Sequence, residues 1–206
     1  MNLLPTVRAF LAVPLPAPLQ EGLTRLRREL SGPLQGLRWS NPTAVHLTLR
    51  FFGDTPVDDL EKIRASMLSV ALREPPFHVD LQGLGAFPSP RRPRVVWIGL
   101  TPPTALQALY RSCAEELRRK GLPGETRAFA PHLTIGRYRE HGPDLSTVLS
   151  RQGQRTIGRL PVTRLVLYES QLRPEGARHI ALFTVPLRER DDLLNNTTSQ
   201  EGTDHG

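Results

Sequence analysis

The chain has 206 residues, 38% hydrophobic and 23% charged, with a formal net charge of +7. This balance excludes a disordered chain, and no run nears the ~18 uninterrupted apolar residues of a membrane span; the length suits one mid-sized domain or two small fused lobes. A single cysteine, Cys113, excludes an internal disulfide framework and a multi-thiolate metal site.

In chain order, "VRAFLAV" (7–13) is β-branched and aromatic enough for a buried strand, stopped by "PLPAP". The apolar start has no preceding basic residue and is broken by prolines, which argues against a secretory signal; cytoplasmic residence is expected. Leu19, Leu23, Leu26 and Leu30 recur at helical spacing, and "AVHLTLRFF" (44–52) alternates like a strand. Thr55-Pro56-Val57-Asp58 predicts a capped helix start, the helix running to about Glu74. "FHVDLQGLGAF" alternates again, with Phe77, Val79 and Leu81 on one side and His78 and Asp80 on the other. "SPRRPR" is a basic loop, "VVWIGL" a buried strand, and "TPPT" opens a helix closed by Gly121, with Cys113 on its apolar side. "AFAPHLTIGRYR" predicts a strand, "PDLSTVLSRQG" a short helix, and "PVTRLVLYES" and "HIALFTVPL" two further strands. From Arg188 onward the composition predicts a frayed polar tail, leaving 1–187 as the folded part.

The order of elements repeats. A shift of 86 lays 9–16 on 95–102 and His46 on His132, inside "HLTLRFFGD" and "HLTIGRYRE". Two similar α+β halves related by a pseudo-two-fold explain the match, each half bringing one histidine. In a strand, His46 and Thr48 point one way while Leu47 and Leu49 point the other; His132, Thr134, Leu133 and Ile135 repeat the pattern. Two imidazoles and two hydroxyls around one groove suit displacement at phosphorus. One imidazole serves as base and the other as acid, and the hydroxyls donate to the non-bridging oxygens. His-x-Thr with no Cys, Asp or Glu nearby is not a metal-ligand pattern, so no metal and no cofactor is expected.

Twenty-five arginines against two lysines, Lys62 and Lys120, favour a polyanionic partner, nucleic acid first, although an arginine-rich composition alone would produce the same bias. Arg50 shares the alternation of Thr48 and extends the positive lining; Arg91, Arg92 and Arg94 form either an RNA-binding lip or a solvated loop.

"HLTLRFFGD" and "PHLTIGR", with "VRAFLAVPLP" ahead and "GLGAFPSPRRPRVVWIGL" between, resemble the bacterial RNA 2',3'-cyclic phosphodiesterases, also called 2'-5' RNA ligases, of the two-histidine phosphoesterase superfamily. The likeness spans about Val7 to Leu187. It implies an α+β fold of two lobes whose antiparallel sheets line a central groove. It also implies hydrolysis of 2',3'-cyclic phosphate ends of RNA to 2'-phosphomonoesters, with reversible 2'-5' ligation of tRNA halves. By that resemblance His46 is the proton donor to the leaving 3' oxygen and His132 the acceptor that activates water. Thr48 and Thr134 hold the phosphate, Arg137 steadies it or stacks on a base, and Phe10 and Phe51 are candidates for the nucleobase contact. His179 stands where such sequences usually carry an aromatic residue. RNA or nucleotides are the expected partners of a monomer. A nucleotide sensor using the same basic groove without turnover is the alternative.

Overall fold

Alternating apolar and β-branched residues build long strands here, and leucines at helical spacing build the helices that cover them. The computed structural model describes residues 5–125, 128–172 and 177–188. In order these form β1 (Thr6–Pro14), α1 (Ala17–Leu30), β2 (Arg38–Trp39), a 3-10 turn (Pro42–Ala44), β3 (His46–Pro56), α2 (Val57–Ala71) and β4 (Phe77–Phe87). There follow β5 (Val95–Thr101), α3 (Thr104–Arg119), β6 (His132–Arg137), α4 (Ser146–Arg151), β7 (Thr156–Val162), β8 (Arg164–Gln171) and β9 (Arg178–Pro186).

All strand pairs are antiparallel and fall into two sheets, in the orders β3-β1-β8-β9 and β2-β6-β5-β4-β7. The halves exchange strands. β1 of the first half pairs with β8 of the second, while β5 of the second pairs with β4 of the first. The helices are exchanged as well. On the first sheet, α2 packs against β3, β8 and β9, and α3 brings Cys113 and Leu117 against Leu11 and Met67. On the second sheet, α1 packs on β7 and sets Leu23 and Leu26 beside Trp39 and Ile135. Each lobe is therefore assembled from both halves of the sequence. The strands β3 and β6 touch where the lobes meet.

The register refines the repeat. Pro14 lies opposite His46 and Gly99 opposite His132, so β1 and β5 are equivalent at an offset of 85 where the histidines are offset by 86.

Three boundaries differ from expectation. β3 continues through Pro56, because Thr55 is buried as a strand residue with its hydroxyl donating to the Gly53 carbonyl at 3.1 Å. α2 consequently starts uncapped at Val57, supported by Asp58 and Asp59 in its first turn, and ends at Ala71. The stretch 161–170, expected as one strand, is two, for the chain passes from one sheet to the other at Thr163. Of the strand expected over 128–139, only His132–Arg137 pairs. The tail expected beyond Arg188 lies outside the described residues.

Candidate active site

β3 and β6 each open on the His-Leu-Thr stretch, and each histidine is tied to the approach loop two residues before it. His46 Nδ1 lies 2.8 Å from the Ala44 carbonyl oxygen, and His132 Nδ1 lies 2.7 Å from that of Ala130. A carbonyl oxygen can only accept, so in both rings Nδ1 carries the hydrogen and donates it. This fixes the tautomer and leaves Nε2 as the ring nitrogen with a free lone pair. Thr48 and Thr134 follow on the same face as their histidines, opposite Ala12 and Trp97. Leu47 and Leu133 point into the core and are fully buried.

The environments of the two rings break the symmetry of the sequence. Phe10 stacks on His46 at 4.6 Å between centroids, and His179 meets it edge-on at 5.1 Å. Burial among these rings pushes the His46 pKa down to about 4; the Ala44 carbonyl opposes the shift and His179 adds to it. His132 is more open, with Phe87 edge-on at 5.1 Å and Trp97 at 6.3 Å. His179 itself is lowered by burial, and its Nδ1 is buried without a hydrogen-bond partner.

Beyond the threonines both strands carry a bulge. β3 advances from Thr48 to Arg50 while β1 moves one residue, and β6 advances from Thr134 to Gly136 while β5 moves one. The extra residue reverses the alternation. The groove face therefore reads His46, Thr48, Phe51 in one strand and His132, Thr134, Arg137 in the other. Both Phe51 and Arg137 are exposed. Arg50, expected beside Thr48, is turned to the other side instead. It is buried, its guanidinium donates to the Pro123 carbonyl and lies 5.1 Å over the Phe52 ring, and it ties β3 to the segment before β6. Phe10, offered as a base contact, is only 2% exposed and is spent as a wall between His46 and Tyr168. Phe51, 65% exposed and 5.8 Å from Phe10, keeps a free ring face.

Trp97, Phe87 and Tyr168 were not singled out by the sequence. Alternation held a signal for the first: Val96, Ile98 and Leu100 are core, so Trp97 must face the other way. His78 is exposed, and His141 is a loop residue whose Nδ1 reaches the Arg92 carbonyl at 3.3 Å. Cys113 is buried, with its thiol pushed up to about 12, chiefly by burial. Among the described residues no three His, Cys, Asp or Glu side chains gather as a metal-ligand set.

Two sheets, each offering an imidazole and a hydroxyl from a matched strand, define a phosphoesterase of the two-histidine class. The chain belongs to the LigT-like phosphoesterase family, whose pattern matches it twice, over residues 13–97 and 98–179. The RNA 2',3'-cyclic phosphodiesterases of Archaeoglobus fulgidus and Methanothermobacter thermautotrophicus are 32% and 33% identical to it, over 82% of this chain and 94% and 93% of their own. Among solved structures, a protein of Thermus thermophilus superposes with a TM-score of 0.75 at 28% identity. The E. coli LigT complexed with 3'-AMP superposes with a TM-score of 0.73 at 26% identity. Each of these two structures covers 89% of this chain and 99% of its own.

Proposed function

We propose that the chain hydrolyses 2',3'-cyclic phosphate ends of RNA to 2'-phosphomonoesters without a metal ion. The observation that carries this reading is the twin arrangement of Nδ1 on a backbone carbonyl, which leaves two Nε2 atoms, one from each lobe, for proton exchange. The relatives' names and the 3'-AMP held by E. coli LigT support the substrate class.

In the proposed reaction Nε2 of His132 takes a proton from water, whose oxygen attacks phosphorus in line with the bond to the 3' oxygen. That bond breaks, and the 3' oxygen leaves with the proton of His46 Nε2. The Thr48 and Thr134 hydroxyls donate to the non-bridging oxygens as negative charge grows there. His46 is neutral in the free protein; an anionic phosphate within hydrogen-bond reach opposes the effect of burial and loads the ring with its proton. With a 5' hydroxyl in place of water, the same step joins RNA halves through a 2'-5' bond.

Product analysis on a short RNA with a 2',3'-cyclic end, in excess chelator, tests this. The 2' monoester is expected, with rates falling by roughly 10²–10⁴-fold in His46→Ala or His132→Ala. A 3' monoester, dependence on added metal, or full activity in either variant rejects it.

A further inference from the structure

Across the second sheet, Phe87 of β4, Val95 of β5, Arg137 of β6 and Arg38 of β2 lie opposite one another in a single row. Residues in such a row share a face of the sheet. It is the groove face, because the Phe87 ring meets both His132 and Trp97. Arg38 and Arg137 are thus cross-strand neighbours, both exposed, and neither forms an ion pair among the described residues. Like charges placed directly opposite destabilise a strand pair, and an anion between them removes that cost.

The β4–β5 connection, at the same end of these strands, adds exposed Arg91, Arg92 and Arg94. Backbone bonds from Arg94 N to the Phe87 carbonyl and from Tyr138 N to the Arg94 carbonyl dock this loop on the row. The nearby Asp144 carboxylate accepts from the Ser146 N–H at 2.8 Å and feels the charge of Arg91 without coming within ion-pair distance of it. Exposed arginines interleaved with an exposed phenyl ring (Phe87 is 37% exposed) form the kind of surface that holds a single nucleic-acid strand, cations on the backbone and rings under the bases.

We propose that Arg38 and Arg137 form a second phosphate site that takes a phosphodiester upstream of the reacting one, with Phe87 as a stacking surface and Arg91, Arg92 and Arg94 continuing the track. This rests on the function proposed above and narrows its substrate to single-stranded RNA bearing the cyclic end. At ~3.3 Å per residue, β6 places Arg137 ~13–16 Å beyond His132, so the pair lies along the strand from the reacting phosphorus.

The test compares kcat/KM on a single-stranded oligoribonucleotide ending in a 2',3'-cyclic phosphate with that on the cyclic mononucleotide of the same base. The wild type is expected to prefer the oligonucleotide, the more so at low salt. Arg38→Ala should lower the oligonucleotide-to-mononucleotide ratio about fivefold to tenfold and reduce the salt slope by about 1. An unchanged ratio, or no preference in the wild type, overturns the site. Turnover of neither substrate defeats the reaction, not the track, which is then judged by fluorescence anisotropy of a labelled single strand. Weaker binding to Arg38→Ala than to wild type supports the track; equal binding, or tighter binding of a duplex, overturns it.

Discussion

His46 carries a conflict that its neighbours create. Burial against Phe10, Tyr168 and His179 holds the ring neutral, with a pKa of about 4, whereas the proposed donor must be protonated when the phosphate is in place. The conflict resolves if the anion itself raises the pKa, and each unit of rise corresponds to about 1.4 kcal/mol of interaction. NMR titration of the His46 ring is therefore expected to give a midpoint near 4 in the free protein and one or more units higher with inorganic phosphate bound. A midpoint that phosphate leaves unmoved exchanges the roles of the two histidines. The titrating groups facing this ring are Tyr168, whose phenol is itself raised by burial, and His179. His179→Phe removes the charge coupling while keeping a ring, and should raise the His46 midpoint in the free protein.

At the scale of strands, the second histidine depends on an aromatic support that one glycine permits. A Cβ on Gly85 would overlap the Trp97 indole, which therefore rests flat on that bare backbone. Gly85→Ala must push the indole off β4 and, with it, the side of the pocket beside His132. The expected outcome is a stability loss of about 1–3 kcal/mol with an altered tryptophan emission spectrum, and a fall in turnover larger than the loss of folded protein. Unchanged emission and turnover would show that Trp97 does not shape the site. This scale also marks the limit of what the sequence displays. Alternation within a strand is local, so the pairing of His46 with Thr48 and of His132 with Thr134 is visible in the letters. The bulges at Leu49 and Ile135 are set by the partner strands, and they alone decide that Phe51 and Arg137 reach the groove while Arg50 does not. Exchange of β4 and β8 between the sheets is likewise a long-range pairing with no local signature.

For the whole molecule, that exchange determines how the protein comes apart. The chain runs from the first sheet to the second and back repeatedly, β1 to β2 to β3 to β4, so neither lobe is a continuous segment that could fold by itself. Arg50 further ties β3 to the segment between α3 and β6 through the Pro123 carbonyl. Across the α2–α3 contact, buried Glu116 accepts from Arg73, just beyond α2, at 2.6 Å and from Arg119 at 2.5 Å. Denaturant unfolding should therefore be a single transition, with far-UV dichroism and tryptophan emission coinciding; two separated transitions would contradict the interlaced assembly. Its pH dependence follows from the groups already named. The folded state keeps His46 neutral down to about pH 4, while the unfolded chain takes up that proton near 6.5. The unfolded state then binds more protons between these values, so stability is complete above 6.5 and declines by roughly 3 kcal/mol as pH falls to 4. Glu116, held below its usual range by the Arg73 hydrogen bond, adds a further loss below about pH 4.5 as its carboxylate protonates. The first decline should shrink in His46→Phe, leaving the smaller part that the likewise lowered His179 contributes, and the second should shrink in Glu116→Gln, so the two variants separate the acid sensitivity of the histidine site from that of the helix contact.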